Sequence, residues 1–298
     1  MSNEDKIIDE LIGSIEYYVN AFQKDIPAIQ KEILKKVLRL SEDFYIPAKT
    51  VKQQADNLKL ISRIKAELNS VILTDNYSDS VKEFVKGFDH VAKIQNAYFS
   101  TVFSESVASS ALLKQIKKTS IDLTVDKLSG DGMVAGLGDK VRDILNRNIS
   151  TGGSYSELVG EMRKFLTDRE GVEGALTRYT KQITNDSLNQ FSAQYTQAVT
   201  EDLGLEWFKY VGSLVKGSRP FCKALIEAKA GCMPYIHKSQ LNAIASGHIC
   251  GSIVSKAGLY PITDGSNLQL LRGGYNCGHQ LMPVSEFIVP EELRKKFA

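Results

Sequence analysis

The sequence predicts a mainly α-helical protein in which an elongated helical N-terminal region leads into a small α+β C-terminal module. Three observations carry that expectation. Apolar residues recur at steps of three and four along most of the chain before Gly204. After Gly204 glycines become frequent, β-branched and aromatic residues alternate at Trp207, Tyr210 and Val211, and helical periodicity turns intermittent. All four cysteines (Cys222, Cys232, Cys250, Cys277) and three of the four histidines (His237, His248, His279) then fall together in this second part. The organisation read from this is a helical region over 1–137 suited to partner binding, a helical approach over 138–204, and the small module with a short tail over 205–298.

From Ile8 the apolar residues fall at Leu11, Ile15, Tyr18, Phe22, Ile26, Ile29, Ile33, Val37 and Leu40, one face of a long helix. Pro27 removes a backbone donor and clashes with the preceding turn, so the helix should kink or split near Asp25. Phe44 to Pro47 closes this unit, and Leu58, Ile61, Ile64, Leu68, Val71 and Ile72 outline a second helix ending at Thr74-Asp75-Asn76. A third is read from Ser78 or Asp79 through Phe84, Phe88, Val91, Ile94 and Tyr98 toward Leu113, with a small-residue middle at Ser104 to Ala111 that favours close helix approach. These stripes are read as packing faces. Ser129 to Gly132 and Gly136 to Gly138 read as a glycine-rich linker, since no Gly-Lys-Ser/Thr or dinucleotide fingerprint accompanies them. Asp139 can cap a helix over 140–148, Ser154 and Glu157 have capping-box spacing, and a further helix runs from Leu176 to Leu203. Trp207, the only tryptophan, is read as a core anchor.

The 298 residues, 43 % hydrophobic, suffice for a sizeable core. No stretch approaches the roughly 18 apolar residues of a membrane span, and Met1 to Lys6 has neither the basic nor the apolar run of a signal peptide, so synthesis in the cytoplasm and no membrane partner are expected. The net charge of +2 hides an asymmetry: after Leu205 there are 11 basic and 6 acidic residues, against 26 and 29 before it. A surplus of that size permits contact with DNA but lacks the dense stripes of a dedicated nucleic-acid surface. A reducing cytosol disfavours disulfides, leaving buried thiols, a metal site or a reactive thiol as the choices for the cysteines.

Three stretches in order are informative together: Phe208-Lys-Tyr-Val-Gly-Ser213, Ser218-Arg-Pro-Phe-Cys222, and Gly273-Gly-Tyr-Asn-Cys-Gly-His279 followed by Met282-Pro-Val-Ser285. They resemble the C-terminal core of phage head morphogenesis proteins, the Mu F-like minor head proteins. The segments Gly152 to Leu158 and Arg178 to Asp186 resemble the helices that lead into that core, so the likeness covers roughly 139–285. The family pattern places an arginine between the last Cys and His, where this chain has Gly278. The resemblance implies a virion component, made in the host cytoplasm, that binds the portal and other capsid proteins at the capsid interior and assists head assembly or genome packaging and ejection, with packaged DNA a further partner.

Within the family motifs, Arg219 before Pro220 is extended and can face a phosphate or a carboxylate, but a structural ion pair or bonds to loop carbonyls is the preferred reading. Tyr275 and Asn276 read as turn and core residues, with Gly273-Gly274 supplying the turn. Cys222, Cys277 and His279 offer the thiolate and imidazole donors that suit zinc, and His248 with Cys250, or Cys232 with His237, could complete a tetrahedral set. No Cys-x-x-Cys knuckle is present, so cysteines and histidines packed without metal are preferred and structural zinc is the alternative. An enzyme would make Cys277 or Cys222 a nucleophile with His279 as base, or activate water on zinc near Glu227. Neither a zinc-deaminase nor a zinc-protease signature exists, and no residue is assigned a catalytic or cofactor-binding role. The competing functions are therefore a zinc- or cysteine-dependent enzyme acting on nucleic acid or protein, and a DNA-binding module.

Overall fold

The computed structural model describes residues 3–46, 50–72, 75–104, 110–129, 131–151, 153–227 and 234–297. The chain opens with α1 (Asn3–Gln23) and α2 (Ile26–Ser41), and the break falls where Pro27 requires it, in the first turn of the second helix. α3 (Val51–Ile72) and α4 (Asp75–Phe103) follow, then α5 (Ala111–Ser129). The third stripe therefore stops short of Leu113. Ser104 takes φ +58°, a left-handed conformation that ends a helix, and Leu113 belongs to α5. The small-residue stretch lies largely outside the described residues. Leu58, counted in the stripe of α3, is exposed, whereas Ile61 and Ile64 are buried.

The expected linker after Ser129 is helical instead. A short α6 (Asp131–Met133) runs through a π-helical turn over Val134–Gly138 into α7 (Asp139–Thr151). The glycines are there for space. A Cβ on Gly136 would stand 2.7 Å from the Tyr179 ring and one on Gly132 would stand 3.1 Å from its hydroxyl, which itself donates to the Lys127 carbonyl at 2.8 Å. Met133 and Leu137 meanwhile point into the core. α8 (Tyr155–Leu166) starts with the expected capping box: the Glu157 amide donates to Ser154 Oγ and the Ser154 amide to the Glu157 carboxylate. α9 (Ala175–Asp202) completes the helical part.

The remaining elements are β1 (Trp207–Val211), α10 (Pro220–Ile226), β2 (Tyr235–His237), α11 (Leu241–Ala245), β3 (His248–Ile249), β4 (Ser252–Ile253), α12 (Leu268–Leu271), β5 (Gln280–Pro283) and α13 (Glu291–Phe297). The chain is thus mainly helical with a small C-terminal strand module, as its pattern predicts.

Contacts divide the chain into two compact units, each discontinuous in sequence: 18–86 with 121–184, and 1–17 with 87–120 and 185–298. In the first, α2 packs on α3 and α8, and α7 on α3 and α8. Its core holds Ile26, Ile33, Val37, Ile64, Leu145, Leu158 and Met162, with Phe22 edge-on to Tyr77 and Phe84 at 5.8 and 5.6 Å. Tyr77 donates to the Leu128 carbonyl at 2.8 Å, and the buried Gln30 donates to Thr177 at 2.8 Å and Asp168 at 3.1 Å.

The second unit is built around a three-stranded antiparallel sheet in the order β2-β1-β5. Phe208 pairs with Ile236 on one side and Pro283 on the other. Because side chains alternate across a strand, β1 presents two faces. Phe208 and Tyr210 join Phe221, Cys222, Leu225, Ile244 and Cys277 in one core, while Trp207 joins Val284 and Val289 in another and meets Phe297 edge-on. The Trp207 anchor is thereby borne out. In the same unit Gln95 donates to the Ser192 carbonyl and Thr196, and Tyr98 donates to the Pro283 carbonyl at 2.6 Å.

A buried thiol and imidazole cluster

Cys222, Cys277 and His279 come together. Cys222 lies in the first turn of α10, whose start is set by Arg219 and Pro220, and Cys277 and His279 lie on the turn that enters β5. Their ligating atoms all fall within 4.8 Å of one another, and they are only 2, 3 and 6 % exposed respectively. Cys277 Sγ is 3.6 Å from His279 Nδ1 and accepts the Gly273 amide at 3.3 Å. His279 Nε2 is buried with no hydrogen-bond partner among the described residues.

Tyr210 completes the group. Its hydroxyl oxygen lies 3.5 Å from Cys222 Sγ and 3.6 Å from Cys277 Sγ, and its ring stacks on the His279 imidazole at 5.3 Å. Burial, reinforced by the two sulfurs, pushes the Tyr210 phenol well up, so it stays protonated. The Cys277 thiol is held well below its ordinary range, first by the hydrogen bond with Cys222 and then by His279 and Arg272. Cys222 is pushed up by that same bond and by burial. Their shared hydrogen bond thus favours Cys277 over Cys222 as the first of the two sulfurs to give up its proton.

Two glycines let the backbone close over this group. A Cβ at 273 would stand 2.4 Å from Cys222 Sγ and 2.8 Å from Cys277 Sγ, and one at 212 would stand 2.8 Å from His279 Cδ2. Gly212 has φ +139°, open to glycine. A groove of about 740 Å³ passes nearby, lined by Asp5, Asp9, Glu16, Lys209, Tyr210 and Gly212 among others, and not by the sulfurs or His279.

The other sequence candidates lie elsewhere. His237 packs between Trp207 and Phe297 at 4.9 Å from each. His248 is exposed, and Cys250 is disulfide-bonded, against the expectation that disulfides are disfavoured. Cys232 falls outside the described residues. Among the described residues, then, only three candidate zinc donors converge. Arg219 donates to the Tyr275 carbonyl, the loop-carbonyl role preferred from the sequence. Tyr275 is not a core residue: it is 49 % exposed and leans on Tyr260 with ring centres 4.1 Å apart. Asn276, at φ +53°, is a turn residue as read, and its amide donates to Asp186.

Compared with known proteins, the chain matches no family model, no curated protein and no solved structure. Tyr210 reads from the sequence only as a strand residue and Gly273 only as a turn residue, and Arg272 is not singled out. Tyr210 shares the face of β1 with Phe208, so strand alternation alone could have placed it in the core. Arg272 carries no such signal. It is 3 % exposed at the end of α12 with φ +49°, donates to the Asn189 carbonyl at 2.6 Å, and brings a positive charge near Cys277.

Proposed function

We propose that the chain is a structural virion protein of the phage minor head type, which binds the portal and capsid interior and assists head assembly and genome packaging. The observation that carries this reading is the convergence of the resembling motifs. Phe208 to Val211 of the first stretch lie in β1, Met282 and Pro283 of the last pair with it as Lys209–Met282 and Phe208–Pro283, and Cys222 meets Cys277 in the same core. That the three stretches meet in one core supports the resemblance they carry.

Burial of both sulfurs weighs against the enzyme reading, because a thiolate nucleophile needs an open approach for its substrate. Among the described residues no helix is long and apolar enough to cross a membrane. The test is co-expression with the portal and major capsid proteins of the same genome, followed by gradient separation of assembled heads. The chain is expected to sediment with the heads at a fixed ratio to portal; heads that assemble and sediment without it refute the reading. Tight DNA binding by the isolated chain that falls steeply with salt would favour the DNA-binding alternative instead.

A further inference from the structure

We infer that Cys222, Cys277 and His279 form a binding site for one zinc-like divalent ion, with the Tyr210 hydroxyl closing the fourth corner. Tetrahedral zinc has bonds of about 2.3 Å to sulfur and about 2.0–2.1 Å to nitrogen, so its donors stand roughly 3.5–3.8 Å apart. Three of the separations match that edge, and the Cys222, Cys277 and His279 donor atoms as a set lie within 4.8 Å of one another, so the shell closes by up to about an ångström when an ion enters. Cys277 Sγ to His279 Nδ1 is 3.6 Å, and the Tyr210 oxygen is 3.5 and 3.6 Å from the two sulfurs. Four polar atoms from three separate segments thus converge close to the spacing of a coordination shell.

The surroundings suit the ion as well. Two thiolates and a neutral imidazole cancel a divalent charge, so the filled site adds no net charge to an apolar core made by Phe208, Phe221, Leu225 and Ile244. The Gly273 amide aimed at Cys277 Sγ is an outer hydrogen bond of the kind that orients a metal-bound thiolate. Gly212 and Gly273 provide the clearance that lets backbone pack directly on ligands. With Tyr210 where a catalytic site would keep water, the site is closed, and its role is to clip α10 to the β5 turn. Binding of this kind is folding free energy for the module. The inference stands apart from the virion reading, because it is tested on the isolated chain.

The experiment is a metal analysis and Co²⁺ titration of the full chain purified under reducing conditions. One zinc per chain is expected. Co²⁺ added to the zinc-stripped protein should give thiolate charge-transfer absorption and the intense visible bands of tetrahedral cobalt, both abolished by Zn²⁺. Cys277→Ser and His279→Gln should each weaken Co²⁺ at least about tenfold. Folded, fully reduced wild-type chain that yields neither zinc nor a cobalt spectrum overturns the inference, and this measurement needs no variant to fold. A cobalt spectrum unaltered in variants that do fold overturns it too, since the ion would then sit elsewhere.

Discussion

Replacing Gly273 by alanine probes the cluster with a single carbon atom. The new Cβ would arrive 2.4 Å from Cys222 Sγ, 2.8 Å from Cys277 Sγ and 3.3 Å from the Tyr210 oxygen. Gly273 is not at positive φ, so the substitution carries no backbone penalty and reports on space alone. The sulfurs are held by short helical and turn segments and cannot swing away as a long side chain would. Overpacking a core in this way costs about 1–3 kcal/mol. For a unit of this size that corresponds to a fall of roughly 2–12 °C in the unfolding midpoint. Trp207 is the only tryptophan and lies in the same module, so its fluorescence follows the relevant unit directly. Gly278→Ala is the control, because a Cβ there meets nothing within 4 Å. It should shift the midpoint by no more than about 2 °C, in keeping with a surface change within about 0.5 kcal/mol. Equal midpoints for the two variants would refute the placement of both sulfurs against Gly273.

Four further outcomes follow from the geometry. Tyr98→Phe leaves the buried Pro283 carbonyl without its donor and should cost about 1–3 kcal/mol in urea unfolding read at Trp207. Ser154→Ala removes the cap of α8 and should cost about 1 kcal/mol, seen as faster amide exchange in its first turn. Bonds from the Ser154 amide and hydroxyl hold the Glu157 carboxyl below its ordinary value of 4.5, so its contribution is present above that pH and lost as pH falls through the lower folded value. The stability gap between the wild type and Glu157→Gln should therefore close in acid. At the other extreme, burial pushes Tyr195 up to about 12, so stability held below pH 10 should drain away as pH rises toward 12. Phenolate absorbance from every tyrosine near pH 10, with structure intact, would contradict this.

The helices of long stripe were legible in the sequence because their apolar residues recur on one face of each helix. Ile26, Ile29, Ile33 and Val37 are all buried, as the period of α2 demands. Local chemistry was legible too: Pro27 splits α1 from α2, and Ser154 with Glu157 starts α8. What escaped depends on distant partners. Gly132 and Gly136 read as loop residues until Tyr179, far along the chain, is seen to lie on them. α5 shows weak periodicity, since Leu112 and Leu123 are exposed among its apolar residues. The three clustered Cys and His residues could be named from their types, yet Tyr210 between the sulfurs is set by strand pairing, and Arg272 by a backbone conformation that few residues adopt.

The order of strands also sets a timetable for synthesis. β1 is the middle strand, but one of its neighbours, β5, is made about seventy residues later. At ~5–20 residues per second the nascent chain waits some ~4–14 s with one edge of its central strand unpaired. Cys222 waits about fifty-five residues, or some ~3–11 s, for Cys277 and His279, so a newly made molecule passes through a stage in which an unpartnered thiol and an open strand edge are present together. Whatever protects the chain in the cell has to act within that window.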